Sequence, residues 1–147
     1  MITFEFFVPG VPQAKQYQQT KAMISRFDPG QVIGGVIHNK VKTVAWEKAV
    51  GWAAKVAAGP GYKAVSGRVH LRLWFMFPIP KSRKELRPGD AHLQDPDATN
   101  LLKAAEDGLK RVLFTDDNMV NSLEVAKSWI EAGKEGVQVL VTIEESR

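Results

Sequence analysis

The stretch RVHLRLWFMF, residues 68–77, places an apolar side chain at every second position over ten residues. The intervening positions begin with Arg68, His70 and Arg72. Strict period-two alternation is the pattern of a β-strand that buries one face and exposes the other. Because proline cannot donate to a sheet ladder, Pro78 marks the end of this strand. The stretch therefore predicts a half-buried strand with its basic residues on the solvent-exposed face.

Similar patterns on either side of this strand predict the remaining elements. A run rich in aromatic and β-branched residues precedes a Pro-Gly turn, and helical spacing of apolar residues marks two helices. The predicted elements are a strand at 2–8, a helix from Thr43 to the Gly59-Pro60-Gly61 stop, a helix at 100–112, and strands at 120–129 and 137–143 joined as a hairpin through 131–136.

The first predicted helix follows a long segment with poor periodicity. Gln13–Lys42 is rich in basic residues and reads as a long loop, with a short hairpin possible at Gly34-Gly35. A loop of this length in a compact domain is usually functional or disordered. In the helix itself, Val44, Trp52 and Val56 recur at helical spacing, and they are its predicted apolar side.

The order β-α-β-α-β-β indicates an α+β single domain whose helices cover one face of a mainly antiparallel sheet. The 147 residues contain no cysteine, which excludes disulfide scaffolds and Cys-type zinc sites. No apolar run approaches the roughly 20 residues that span a bilayer. The N-terminus lacks the basic region of a signal peptide and carries Glu5 within its apolar run. We therefore expect an intracellular, cytoplasmic protein with no membrane partner.

The formal charge of +4 is unevenly distributed along the chain. Residues 1–94 hold 14 Lys+Arg and 5 Asp+Glu, a balance of +9, whereas residues 95–147 hold 6 and 11, a balance of −5. Charge asymmetry between halves points to nucleic-acid binding, although basic surfaces also occur in proteins that bind no anion. The acidic part is more informative, because its carboxylates are clustered.

Six acids concentrate within the 23 residues from 95 to 117. On the predicted second helix, spacing places Lys103, Glu106 and Asp107 on one polar face. Hard cations such as Mg²⁺ prefer oxygen ligands and need only a few carboxylates besides water and phosphate. The alternative without function is that Asp97 or Thr99 caps the helix, that Glu106 and Lys103 form a solvated pair, and that residues 116–118 form a turn. The six acids are Asp95, Asp97, Glu106, Asp107, Asp116 and Asp117.

Two stretches carry a pattern known from a nuclease family. Residues 95–109 read DPDATNLLKAAEDGL, and residues 112–120 read VLFTDDNMV, followed by Lys127. They resemble the RusA family of Holliday junction resolvases, whose pattern is close to P-D-x-D-N-L-x-K-A-x-x-D-x-L, a hydrophobic stretch, D-D-x-x-V and a later lysine. The opening VPGVPQAK, residues 8–15, is similar to that family's N-terminal strand and turn. The resemblance covers most of the chain, from residue 2 to about 143.

The resemblance also implies roles for individual residues. It makes Asp97, Lys103, Asp107 and Asp117 the catalytic candidates. The implied metal ligands are Asp97, Asp116 and Asp117, and the implied metal is Mg²⁺ or Mn²⁺.

One position departs from the family's pattern, because Thr99 stands where a second aspartate is usual. Pairing Asp95 with Asp97 instead would require a two-residue insertion before Asn100. Our hypothesis is that Glu106, two turns from Thr99 on the same predicted helix face, supplies the missing carboxylate as a metal ligand.

The activity implied by the resemblance is paired cleavage of four-way DNA junctions by a homodimer, leaving 5′-phosphates. Family members are commonly encoded by phages and prophages. A non-cleaving protein that binds branched DNA is the alternative, because Thr99 removes a ligand; a phosphohydrolase of small substrates fits the basic half less well. We expect the histidines to be surface or loop residues, with His92 a minor site candidate. The predicted DNA contacts are Lys15, Lys21, Arg26, Lys81, Arg83, Lys84 and Arg87.

Overall fold

The computed structural model describes residues 1–15 and 36–146, so the predicted Gly34-Gly35 hairpin lies outside the described residues. The described elements follow the predicted order. They are strand β1 (Ile2–Pro9), helix α1 (Val36–Ala58), strand β2 (Gly67–Pro78), helix α2 (Ala98–Leu109), a 3-10 turn (Asp117–Met119), strand β3 (Val120–Ile130) and strand β4 (Gly136–Glu145). Among the helices described, none is long and apolar enough to cross a membrane.

The four strands form one mixed sheet in the order β1-β4-β2-β3. Strand β4 runs antiparallel to both of its neighbours, whereas β3 runs parallel to β2. The α+β prediction with a mainly antiparallel sheet is therefore confirmed.

The predicted hairpin between β3 and β4 is wrong, because β2 lies between these two strands. Helix α2 connects β2 to β3, and such a crossover permits parallel pairing of consecutive strands. Every second residue of β4 from Val137 to Ile143 is fully buried, as expected for a central strand. Most of the first half of β3 is exposed, which suits an edge position.

Strand β2 forms the centre of the core, as its alternation predicts. Its inward residues from Val69 to Phe77 are at most 6% exposed, while Arg68 and Arg72 are exposed on the other face. Helix α2 adds Leu101 and Leu109, both fully buried, to the same core. This packing fixes α2 beside the ends of the strands.

Helix α1 differs from its prediction in both its start and its buried side. It begins at Val36, so Thr43 is not an N-cap; its hydroxyl instead donates to the backbone oxygen of Ala14 at 3.1 Å. The buried residues include Trp46, Val50 and Ala54. The predicted apolar residues Val44, Trp52 and Val56 are 38%, 69% and 66% exposed.

Close packing of the two helices explains which side of α1 is buried. Gly51 of α1 faces Gly108 of α2, and a Cβ on Gly108 would lie only 2.7 Å from the backbone oxygen of Glu47. Two helices can approach this closely only where side chains are absent. The glycines therefore select the buried face, although the opposite face has larger apolar side chains.

Candidate active site

Asp97 occupies the N-cap position of α2 but makes no side-chain capping hydrogen bond. Its backbone oxygen accepts from Leu101 N at 3.1 Å, which begins the helix. An aspartate at this position usually accepts a bond from the first turn. Here the exposed carboxylate remains available to a ligand.

Lys127 of β3 holds the segment that leads into Asp97. Its Nζ donates to the backbone oxygens of Gln94 and Pro96 at 2.7 and 2.8 Å. The backbone of β3 also pairs with this segment, because His92 N donates to the oxygen of Lys127 at 3.2 Å. Sequence spacing identified Lys127 only as the last position of the motif and gave no indication of this contact.

Lys103 and Asp117 lie together, with Nζ 3.4 Å from Oδ2. Asp117 begins the 3-10 turn, and its backbone N–H donates to Oδ1 of Asp116 at 2.7 Å. Hydrogen bonding with Asp116 and with Lys103 lowers the pKa of the Asp117 carboxyl. The motif lysine and the second aspartate of the motif pair are thus adjacent and oppositely charged.

Glu106 borders the same group from α2 but is only 8% exposed. Its burial contradicts the alternative interpretation of Glu106 and Lys103 as a solvated pair. Burial raises the pKa of its carboxyl; the charge of Lys103 opposes this increase, and the charges of Asp117 and Asp107 add to it. It is a largely buried acid whose charged neighbours include Lys103 and Asp117.

Asp107 belongs to a different cluster, which faces α1. Its Oδ2 lies 3.0 Å from Lys15 Nζ, and its Oδ1 lies 3.9 Å from Lys110 Nζ. Lys15 also forms an ion pair with Glu47. Burial lowers the pKa of Lys15, but hydrogen bonds and charge from Glu47 and Asp107 outweigh burial and raise it overall. Lys15, a predicted phosphate contact, therefore joins the segment after β1 to helices α1 and α2.

The other predicted DNA contacts are only partly described. Lys21 and Arg26 lie outside the described residues. Between β2 and α2, Lys81, Arg83, Lys84 and Arg87 are exposed, and Arg83 pairs with Glu85. Backbone bonds of 2.9 Å between Gly89 and Trp129 and between Trp129 and Asp90 attach this segment to the end of β3. The basic turn therefore lies at the end of the sheet that holds Asp97.

His92 lies in a loop, as one of the two predicted settings, but it is buried rather than at the surface. Its ring stacks on Phe77 with centroids 4.2 Å apart and lies 4.4 Å from the ring of Trp129. Burial, and then the charge of Lys127, lowers the pKa of His92. A neutral imidazole in an aromatic setting supports the packing behind Asp97 more readily than it binds a metal.

The residues fit a hard cation held by few protein ligands. In residues 1–15 and 36–146, no three ligand-type side chains converge on one point. Mg²⁺, however, is usually bound by one or two carboxylates together with water and substrate phosphates. The exposed Asp97 carboxylate and the charged Asp117 supply donors of this kind.

Comparison with protein families now identifies the chain. The family model described as endodeoxyribonuclease RusA matches residues 9–144 of the 147. The match includes the Lys103–Asp117 pair, the Asp97 N-cap and the Lys127 contact. Comparison with curated proteins finds no match. Because the family model covers nearly the whole sequence, this chain belongs to the RusA family of endodeoxyribonucleases.

Proposed function

We propose that this chain is a Mg²⁺- or Mn²⁺-dependent endodeoxyribonuclease that cuts four-way DNA junctions. The family match over residues 9–144 carries the proposal. The adjacent Lys103 and Asp117 support it, because a cation and a carboxylate beside each other suit the handling of a phosphodiester and its counterion. The excess of basic residues in the first 94 positions suits an anionic polymer.

The metal would be held by Asp117 with Asp116 and Asp97. When bound, such a cation lowers the pKa of a coordinated water and offsets charge on the phosphate. Asp116 and Lys103 lower the pKa of Asp117 and so favour its charged form. Asp97 contributes an exposed carboxylate on a segment fixed by Lys127.

Lys103 would donate from Nζ to a non-bridging oxygen of the scissile phosphate. Its ammonium lies 3.4 Å from Asp117, so a small rotamer change would bring it to a phosphate that a cation holds beside that carboxylate. One water adds to phosphorus, and the bond from phosphorus to the 3′ oxygen breaks. The products are a 5′-phosphate and a 3′-hydroxyl. Lys103 stabilises the negative charge that develops on the phosphate oxygens in the transition state.

Glu106 would replace the carboxylate that Thr99 lacks. Its side chain is 8% exposed, and burial raises the pKa of its carboxyl. A buried carboxylate is costly to ionise, so a cation bound beside Lys103 and Asp117 would offset that cost. Metal affinity measured by calorimetry should fall for Glu106→Gln and be unchanged for Glu131→Gln, which alters an exposed acid.

Binding of branched DNA without cleavage is the second candidate. Two observations favour it: Thr99 stands at a motif carboxylate position, and no three ligand-type side chains converge in the described residues. On this alternative the basic surface would act alone.

A labelled synthetic four-way junction separates these candidates. We expect the wild type to nick it with Mg²⁺ and not with EDTA, and Asp117→Asn to bind without nicking. Glu131→Gln is the matched control and should cut normally. Binding by the wild type with no nicks under any metal would support the second candidate, and absence of binding would remove both.

Cutting two strands symmetrically would require two active sites, so we also propose a homodimer. Sedimentation velocity should give a mass near twice the 16.3 kDa chain for the free protein, and that mass plus the mass of the DNA for the junction complex. A monomer in both conditions would contradict the homodimer and leave the nuclease proposal standing.

A further inference from the structure

A second basic surface lies on the side of α1 that sequence periodicity assigned to the core. A cavity of about 520 Å³ at the end of α1 is lined by Lys55, Lys63 and Arg111. A groove of about 550 Å³ shares Lys55 with this cavity and is also lined by Lys48, Trp52 and Lys110. We call these six residues the α1 basic groove.

The cations of this groove are poorly neutralised. Lys48, Lys55, Lys63 and Arg111 form no ion pair with any described residue. Lys110 has only a contact of 3.9 Å with Asp107. The two acids that line the groove, Glu47 and Asp107, are both engaged by Lys15. The groove therefore has a net positive charge.

The groove borders helix α2, which carries Lys103. Asp107 and Gly108 of α2, and Lys110 just after it, line one part of the groove. Arg111 and Lys63 line the other part. A polyanion that extends from Lys103 along α2 would meet these cations.

Trp52 lies in the same groove with 69% of its surface exposed. Aromatic side chains between cations are typical of surfaces that bind nucleic acid. Its ring can pack on a deoxyribose or on a base that is unstacked at a branch point.

We propose that the α1 basic groove binds one duplex arm of the DNA substrate, through its phosphates at Lys55, Lys63 and Arg111 and through Trp52 near the branch. This inference rests on the proposed function, because it assigns a further part of the substrate to a nuclease that cuts branched DNA. It adds a binding surface separate from the basic turn at residues 81–87.

A second copy of the chain fits this surface less well than DNA does. In a two-fold symmetric dimer the same patch meets itself, so the groove would place cations against cations. Like charges across an interface oppose association. Phosphates instead complement the charge of the groove.

The test compares two triple variants that remove equal charge. The groove variant carries Lys55→Gln, Lys63→Gln and Arg111→Gln, and the control carries Arg68→Gln, Arg72→Gln and Lys134→Gln, which are also exposed. Anisotropy in EDTA, over a series of NaCl concentrations, gives the affinity for a labelled four-way junction. Thermal melts verify that all proteins are folded.

We expect the groove variant to lose at least tenfold in junction affinity at 0.1 M salt, because each lost phosphate contact costs about eightfold there. Its salt slope should fall by about 2 to 3. Trp52→Ala should lower affinity by about fivefold or more with an unchanged slope. The control triple variant should retain a near wild-type slope.

Three results would overturn the inference. Equal effects of the two triple variants would show that net charge alone matters. A groove variant that binds DNA normally but loses self-association in sedimentation would identify the groove as an interface between copies. Both results leave the proposed function intact if the wild type still cuts junctions, whereas failure of the wild type to bind DNA would remove both proposals.

Discussion

Lys127→Met should slow DNA cleavage while leaving the fold intact. Methionine keeps the length and the apolar stem of lysine but removes both donors to the Gln94 and Pro96 oxygens. These two bonds hold the segment immediately before Asp97. Without them, we expect Asp97 to sample positions away from the active site.

The size of each effect follows from the exposure of the two carbonyls. A hydrogen bond from a charged donor contributes about 1.5–3 kcal/mol, but the exposed Gln94 oxygen can bond water instead. The bond to the part-buried Pro96 oxygen therefore accounts for most of the lost stability, and we expect the free energy of unfolding to fall by about 1–2 kcal/mol. Cleavage should fall by about 100-fold, because a displacement on the order of 1 Å can have that effect.

Urea denaturation and single-turnover junction cleavage measure these two effects. The pKa of His92 provides a third measurement, because Lys127 lowers it in addition to burial. Removing that positive charge should raise the pKa of His92, although burial keeps it below its ordinary value. NMR titration of the His92 ring in EDTA reads this change without metal or DNA.

Two control variants make the prediction refutable. Lys134→Met removes an exposed lysine after β3 and should change neither cleavage nor the pKa of His92. Lys127→Arg keeps two donors and should recover much of the activity. If Lys127→Met cut junctions at the wild-type rate, the contact with Gln94 and Pro96 would not position Asp97.

Three further variants test the packing and the polar clusters. Gly108→Ala should lower the free energy of unfolding by about 1–3 kcal/mol, because its Cβ would overlap the Glu47 backbone oxygen; Gly51→Ala, with its nearest contact at 3.0 Å, should cost less in the same urea titration. Glu106→Gln should stabilise the metal-free protein at neutral pH and not at acid pH. Because the pKa of the Glu106 carboxyl is raised, the wild type has the full stability of this group below the pKa of the unfolded chain and loses it as pH rises through the folded pKa, whereas glutamine does not ionise. Equal pH profiles of unfolding would contradict this reasoning. Lys15→Met should lower stability by about 1–2 kcal/mol and change junction affinity little; reduced affinity with unchanged stability would instead make Lys15 a phosphate contact.

The strands and the second helix could be predicted because each has one dominant pattern. Alternation in β2 has a single interpretation, and the burial of Val69 and Phe75 agrees with it. Helix α2 has one apolar face, and the motif residues fix where it begins. The pairing of β3 and β4 could not be predicted this way, because period two indicates a strand without naming its neighbour.

The buried face of helix α1 could not be predicted, for a different physical reason. Its sequence has two stripes at helical spacing, one through Val44 and Trp52 and one through Trp46 and Val50. Hydropathy favours neither stripe clearly, and the choice depends on the close approach of Gly51 to Gly108. To predict such a contact, both helices must be considered together, and periodicity within one helix does not contain that information.

The same glycine contact separates the surroundings of two adjacent acids on α2. Consecutive residues of a helix point about 100° apart, so Glu106 and Asp107 face different neighbours. Because Gly108 is pressed against α1, the Asp107 carboxylate faces α1 and meets Lys15, and Glu106 turns toward Lys103 and Asp117. Spacing in the sequence grouped both acids with Lys103; in the structure Asp107 pairs with Lys15 and Lys110, and the buried Glu106 is influenced by the charges of Lys103 and Asp117. The catalytic role of Asp107 and the metal-ligand role of Glu106 therefore stay predictions that the variants can separate.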